Sequence, residues 1–180
     1  MKLEHAVSEP ALSADTSPRS AIIRLARGAS IETSTRNIAD VAGYAQLLAP
    51  GTDVHVTFLP GTPYHHVLST ATRLRQVGLN PVPHLAARRF ASAAAVADFA
   101  ARLRDEAGVG RVLLIAGDSE SAAGPFESSL QVLETGVFEA CGIRSIGIAG
   151  YPEGHGRIPQ QVLDDALERK IRYAEANGVE

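Results

Sequence analysis

The chain has 180 residues, of which 45% are hydrophobic and 21% charged, and its net charge is -3. This composition predicts one folded domain with a substantial core, and the lack of a basic block argues against nucleic acid as a main partner. The single cysteine, Cys141, excludes an internal disulfide and fits a reducing compartment. No apolar run approaches the ~20 residues that cross a bilayer, and the N-terminus lacks the apolar core of a signal peptide. We therefore expect a cytoplasmic protein with no membrane partner.

The sequence predicts a tail followed by alternating strands and helices. Residues 1 to about 20 show no lasting hydrophobic periodicity and predict a flexible N-terminal tail. A short helix follows at 21–26, and Thr33–Arg36 is polar and predicts a loop. The predicted strand and helix pairs are 29–32 with 37–49, 53–59 with 63–77, 80–86 with 92–107, 112–116 with a helix from 125 or 126 to 140, and 145–149 with 159–176.

The stretch Arg111–Asp118 carries the strongest single signal. Its apolar residues run from Val112 to Ala116 without alternation, which predicts a strand buried on both faces. The run ends at Gly117-Asp118. A carboxylate at the C-terminal end of such a strand lies where α/β proteins carry their chemistry, although a lone aspartate there often only caps a turn.

Strand and helix alternate five times, which predicts parallel strands joined by right-handed crossovers. Two architectures fit this pattern, an open doubly wound sheet and part of a (β/α)₈ barrel. No Gly-x-Gly-x-x-Gly follows the first strand, which counts against a dinucleotide-binding Rossmann domain. A complete barrel needs about 250 residues, so this chain has room for only about five units.

Five polar residues lie at or just past the C-terminal ends of the five predicted strands, and they are Glu32, Thr57, His84, Asp118 and Tyr151. In a parallel barrel they would converge on one face. Each alone has an ordinary explanation, such as a histidine that hydrogen-bonds a carbonyl, but the series predicts a binding or catalytic site. The adjacent His65 and His66 would point about 100° apart on a helix, so we predict no metal site.

These residues stand in five ordered motifs, which are Ser30-Ile31-Glu32, Val56-Thr57-Phe58, Pro83-His84-Leu85, Ala116-Gly117-Asp118 and Gly150-Tyr151-Pro152-Glu153-Gly154-His155. In this order they resemble methylenetetrahydrofolate reductase, from about residue 29 to the end of the chain. The resemblance implies a (β/α)₈ TIM-barrel fold, with about five β/α units in residues 21–180, and an FAD cofactor at its C-terminal face. It also implies NAD(P)H as co-substrate for reduction of 5,10-methylenetetrahydrofolate to 5-methyltetrahydrofolate, or the reverse reaction in one-carbon catabolism.

The resemblance also implies roles for single residues. Glu32 corresponds to the general acid that protonates a folate nitrogen, and Asp118 to an aspartate beside the flavin and the pterin. The positions that correspond to cofactor contacts are Thr57, Phe58, His84, Gly117, Asp118, Tyr151, His155, Arg169 and Lys170. The last two would lie near the FAD phosphates, although a helical Arg-Lys pair is more often a solvated charged face.

The sequence departs from the family pattern at several points. Ala116 stands where the family commonly has an arginine, and Thr33-Ser34-Thr35 where it often has Phe-Pro-Pro. These departures suggest a divergent branch, and the alternative function is a non-catalytic folate- or flavin-binding homologue that acts as a partner subunit. Five units alone would leave two sheet edges unpaired. We therefore expect a piece of a longer barrel, or a homo-oligomer or second chain that completes it.

Overall fold

The computed structural model of the protein describes residues 17–59 and 61–180. In these ranges the strands are β1 (Ile31–Ser34), β2 (Asp53–Thr57), β3 (Asn80–Ala86), β4 (Arg111–Ile115) and β5 (Ser145–Ile148). The α-helices are α1 (Pro18–Arg27), α2 (Val41–Leu47), α3 (Tyr64–Gln76), α4 (Ala93–Ala107), α5 (Ser129–Leu133), α6 (Val137–Ala140) and α7 (Gln160–Asn177), and 3₁₀ helices cover Thr35–Asp40 and Ala87–Arg89. Pro60 and most of the predicted tail lie outside the described residues. The last residues of the predicted tail, from Pro18 onward, already belong to α1, and the Ser17 hydroxyl caps this helix.

The five strands form one parallel sheet in which spatial order follows chain order, β1-β2-β3-β4-β5. Strands of a (β/α)₈ barrel are neighbours in this order, whereas a doubly wound sheet reverses its order at a switch point. The fold is therefore α/β, with a parallel sheet flanked by helices that is compatible with part of a barrel.

The outer edge of β5 carries a further backbone contact. The N–H of Glu180 donates to the carbonyl of Arg144 at 2.7 Å, and the N–H of Ile146 donates to the carbonyl of Glu180 at 2.7 Å. One residue bonded to two positions that flank Ser145 is the pattern of a parallel ladder. Glu180 thus lies beside β5 as the next strand of a parallel sheet would.

Only one face of the sheet is fully packed. In β2 and β4 the residues Val54, Val56, Val112 and Leu114 are fully buried in the core, while the residues between them are partly exposed. The prediction that β4 is buried on both faces is therefore wrong. The strand buried almost throughout is β3, which lies at the centre of the sheet with two neighbours on each side.

An aromatic cluster joins α3 and α4 to the sheet. The ring of Tyr64 stacks on Phe90 at 4.7 Å and contacts Phe58 and Phe99 at 5.0 and 4.6 Å. Burial raises the pKa of Tyr64 well above its usual range, against the opposing charge of Arg89. Aromatic pairs in such tilted and stacked arrangements contribute about 0.5–1.5 kcal/mol beyond the area they bury, so this cluster fixes both helices beside the end of β2.

A polar network ties together the N-terminal ends of four strands. The carboxylate of Asp53 accepts hydrogen bonds from the Asn80 amide and, at 2.5 Å, from the Arg111 guanidinium. Arg111 also donates to the Ser145 hydroxyl at 2.8 Å. Because each partner begins a different strand, the network sets the relative heights of β2, β3, β4 and β5.

The first strand and its loop differ from the prediction. Thr33 and Ser34, which we assigned to a loop, extend β1 and pair with β2, and the 3₁₀ helix begins at Thr35. Buried Thr33 explains the difference, since its hydroxyl bonds to the Tyr44 hydroxyl at 2.9 Å beneath the sheet. Glu32 therefore lies within β1 and not at its end.

The helix predicted from residue 125 or 126 to 140 is also wrong. It begins only at Ser129, after a capping box in which Ser128 and Gln131 bond to each other's backbone N–H groups. It already ends at Leu133, and Gly136, whose φ of 68° is left-handed, lies between it and α6. Glycine in this conformation interrupts a helical stretch, and α6 starts beyond it.

The terminal helices are the least buried part of the described chain. No residue of α1 is buried, and in α7 only Leu163 is. Within residues 17–59 and 61–180, every helix is too short or too polar to span a lipid bilayer.

Candidate functional site

A cleft of about 990 Å³ lies at the carboxyl ends of β4 and β5. Its walls are the loop after β4, the loop after β5 and one side of α7. Six residues that the sequence predicted for a site line it, and they are Gly117, Asp118, Tyr151, His155, Arg169 and Lys170. Its volume is at the upper end of the range of about 300–1,000 Å³ that ligand pockets occupy.

Gly117 sets the direction of the loop that carries Asp118. Its φ of 90° lies in the region that favours glycine,. A Cβ at this position would also meet the Cβ of Ala86 at 2.9 Å, so the backbone of β4 can leave the sheet here only without a side chain. Asp118 is thereby held at the rim of the cleft.

We expect Gly117→Ala to destabilise the protein by about 1–3 kcal/mol. The added methyl group combines an unfavourable backbone conformation with a contact to Ala86, and it should also displace Asp118. Gly150→Ala is the matched control, because nothing lies within 4 Å of its Cβ position and its φ is not positive. Urea unfolding of both variants measures the difference, and equal midpoints would contradict it.

Arg88 holds the far side of the same loop. Its guanidinium donates to the carbonyls of Ser119 and Glu127 at 3.0 and 3.1 Å, and it pairs with the Glu127 carboxylate at 3.1 Å. Its own carbonyl accepts from the N–H of Ala123 at 2.7 Å. A single side chain from the end of β3 thus closes the loop around one wall of the cleft.

The loop after β5 brings two rings together. Tyr151 has a φ of 47° and is the one non-glycine residue of the described ranges with a positive φ. Its ring meets that of His155 edge-on at 5.2 Å, and His155 Nδ1 accepts the N–H of Arg157 at 3.2 Å. Left-handed backbone at a non-glycine residue is unfavourable and is often found at functional sites.

The α7 wall supplies two cations with different surroundings. Arg169 lies 3.4 Å from the Glu134 carboxylate and is mostly exposed. Lys170 is half-buried and makes no hydrogen bond or ion pair with any described residue, and burial lowers its pKa. A cation that has lost water without gaining a counter-ion is costly, so an anionic group in the cleft would improve its surroundings.

A second group of predicted residues lies outside this cleft, on the partly open face of the sheet. Glu32 on β1 is 60% exposed, and its carboxylate is 4.0 Å from Nε2 of buried His84 on β3. The same Nε2 is 3.2 Å from Nδ1 of His55 on β2. Burial lowers the pKa of His84 to about 4, against the opposing effect of Glu32, and His55 lowers it further.

Not all of the predicted residues stand at strand ends. Thr57 is the last residue of β2, and its Oγ1 is buried with no hydrogen-bond partner among the described residues. His84 lies inside β3 like Glu32 inside β1, and Phe58 packs in the aromatic cluster. The structure therefore separates the predicted residues into the cleft and the sheet face.

No protein-family model matches this chain. The described residues offer a cation without a counter-ion in the cleft and a carboxyl beside two imidazoles on the adjoining sheet face.

Two contributing residues were missed by the sequence reasoning. His55 alternates with Val54 and Val56, and its spacing of two from Thr57 already placed both on one face of β2,. This alternation is sufficient to predict His55 on the same face as Thr57. Arg88 had no local signal, because its role depends on loop residues more than thirty positions away, such as Ser119.

Proposed function

We propose that this chain forms the flavin- and folate-binding part of a reductase of the methylenetetrahydrofolate reductase type. The reaction is reduction of 5,10-methylenetetrahydrofolate to 5-methyltetrahydrofolate with NAD(P)H, or its reverse. The observation that carries the proposal is the cleft, because residues from two of the five motifs and from α7 line one cavity.

FAD fits the residues present in three respects. Half-buried Lys170, with no partner among the described residues, suits a phosphate,. Gly117 lines the cleft where the chain leaves β4, and the hydroxyl of Thr57 at the end of β2 has hydrogen-bonding capacity to offer. The residues that would hold the cofactor are these three with His84, Tyr151, His155 and Arg169. The chemistry that FAD supplies when bound is hydride transfer.

The barrel belongs to the same proposal. Chain-ordered parallel strands, a half-open sheet face and the pairing of Glu180 with β5 support a sheet that continues and closes,. The open face, which carries Glu32, His55 and His84, would then line the interior. A second copy or a partner subunit would supply the remaining strands, since unpaired sheet edges favour association.

In this function Glu32 acts as the general acid. Its carboxyl is exposed on the open face, where a substrate can reach it. Carboxyl groups transfer protons near neutral pH when a bound substrate excludes water around them. The folate nitrogen accepts the proton as its bond to the methylene carbon breaks.

Three successive measurements test the function. FAD is titrated into purified protein and its binding followed by visible absorbance, NADH or NADPH is then added without oxygen, and methylenetetrahydrofolate is added last. We expect bleaching of the flavin by one nicotinamide and its reoxidation by folate. Binding of FAD or folate without turnover would favour the non-catalytic partner subunit, and no binding of either would contradict the proposal.

Asp118→Asn is expected to raise the reduction potential of bound flavin and to weaken folate turnover. The reason is that the carboxylate at the rim of the cleft disfavours negative charge on a reduced flavin nearby,. A redox titration of the loaded protein measures the potential. Asp164→Asn is a control on α7 at a position that does not line the cleft, and an unchanged or lowered potential in Asp118→Asn would contradict this placement.

A further inference from the structure

Helix α1 carries an apolar stripe that is open to solvent. The residues at the spacing of one helix face are Pro18, Ala21, Ile22, Leu25 and Ala26,. No residue of α1 is buried, and the side chains of Ile22 and Leu25 are 66% and 78% exposed. Contiguous apolar side chains on an exposed face mark an interaction surface.

A second apolar surface lies at the opposite edge of the sheet. It is a groove of about 310 Å³ lined by β5, α7, the end of α5 and residues 179–180. The apolar residues of its lining are Leu133, Ile146, Ile148, Ile171, Ala174 and Val179. Ile146 and Ile148 pair in register with Val112 and Leu114, which are buried in the core. The groove therefore belongs to the face of the sheet that the helices cover.

The groove has the position at which a further helix of the outer layer would pack. In α/β folds each strand of a parallel sheet is covered by helices on the packed face. α7 lines the groove on the side of β5, and Glu180 lies beyond β5 as a further strand would. A helix with an apolar stripe, followed by a parallel strand, is therefore the element that fits here.

The charges of α1 and of the groove are complementary. α1 carries three arginines and no acidic residue. The groove is lined by two carboxylates, Glu175 and Glu180, and by one cation, Lys170. Opposite charges of this kind steer two surfaces together and fix the orientation in which they meet.

α1 does not reach the groove of its own copy. Only residues 28–30 join α1 to β1, and three extended residues reach about 10 Å. β1 and β5 are the two ends of the five-stranded sheet, and four steps between neighbouring strands amount to roughly 19 Å. A second copy of the chain supplies the helix instead.

We propose that α1 of one copy docks in the groove between β5 and α7 of a second copy, so that the copies associate head to tail. The short connection then brings β1 of the first copy next to Glu180 of the second, and the alternation of helix and strand continues across the contact. Lys170 lines both the groove and the cleft, so the docked helix also packs against the α7 wall of the cleft. The inference goes beyond the proposed reaction and requires neither flavin nor folate.

The first test measures self-association of the full chain by analytical ultracentrifugation. Leu25→Glu places a carboxylate on the stripe, and Ile171→Glu places one in the groove, where Ile171 is 47% exposed. We expect the wild type to associate and each variant to raise the dissociation constant about 100-fold or more. Leu47→Glu is the matched control, because Leu47 is exposed on α2 and lies in neither surface, and it should leave the constant unchanged. If Leu25→Glu does not fold, Ile22→Glu replaces it.

A mixture of the two variants gives the decisive result. Each variant alone lacks one half of every contact, whereas the mixture can join the intact α1 of Ile171→Glu to the intact groove of Leu25→Glu. We therefore expect two monomeric variants that form a one-to-one complex when mixed. Association of Ile171→Glu alone would mean that α1 contacts α1, and association of Leu25→Glu alone that groove contacts groove. Either result, a mixture that stays monomeric, or a monomeric wild type overturns the inference.

The two proposals fail in different ways. A monomer that binds FAD and reduces folate would overturn the head-to-tail contact and leave the proposed function. Copies that associate head to tail but bind neither FAD nor folate would leave the contact and contradict the proposed function.

Discussion

Glu32→Gln is expected to slow folate reduction by about 10²–10⁴-fold, because a positioned general acid contributes a factor of this size. Flavin reduction by NAD(P)H requires no proton from this side chain and should keep its rate. Glutamine preserves the shape of the side chain, and Glu32 is 60% exposed. The free energy of unfolding should therefore change by no more than about 0.5 kcal/mol.

Stopped-flow traces of the two half-reactions separate these effects. Glu106→Gln is the matched control, since Glu106 is a half-exposed carboxylate on α4 whose partner is Arg102 on the same helix. It should leave both rates at their wild-type values. Equal losses in the two half-reactions of Glu32→Gln would remove this residue from the acid role.

The alternation of apolar strands and amphipathic helices was sufficient to predict an α/β fold with a parallel sheet, which the structure confirms. The unbroken apolar run of β4 was not sufficient to predict its burial. Leu113 and Ile115 are only half-buried, because the face they occupy is not packed against helices. A local run reports the hydrophobicity of a strand, while burial depends on what the rest of the chain places against it.

The errors at helix ends have a different cause. Ser128 and Gln131 have the spacing of a capping box, and Gly136 is a glycine that interrupts the helical stretch just before α6, so the late start and the interruption could have been predicted from local rules. The extension of β1 could not. It depends on pairing with β2 and on the hydrogen bond from Thr33 to Tyr44, which are contacts that no local pattern contains.

The strand-end positions in the sequence predicted a set of residues that could meet in one site, but they did not predict which members of the set actually line the cleft. Asp118 and Tyr151 reach the cleft from loops beyond the carboxyl ends of their strands. Glu32 and His84 instead lie inside β1 and β3, before the carboxyl ends of these strands. The register between strands decides how far along the sheet each residue lies. This register depends on long-range contacts, such as the hydrogen bonds that join Asp53, Asn80 and Arg111.

Lys170→Met is expected to raise the dissociation constant for FAD about 10- to 100-fold. Hydrogen bonds to a charged partner contribute about 1.5–3 kcal/mol, and each 1.4 kcal/mol corresponds to about a factor of ten in affinity. In the FAD-free protein the same change should raise the free energy of unfolding, because it removes a half-buried cation that has no partner among the described residues,. Loss of binding together with a gain in stability would distinguish ligand contact from general damage.

A comparison of riboflavin with FAD separates contact with the phosphates from contact with the isoalloxazine ring. Riboflavin has the isoalloxazine ring but no phosphate, so Lys170→Met should leave its affinity close to that of the wild-type protein while FAD affinity falls. Arg172→Met is the control, since Arg172 is exposed two positions further along α7, pairs with Glu168 at 2.5 Å and does not line the cleft. Titration calorimetry with both ligands measures the constants. An equal loss for riboflavin and FAD would show that Lys170 does not meet the phosphates.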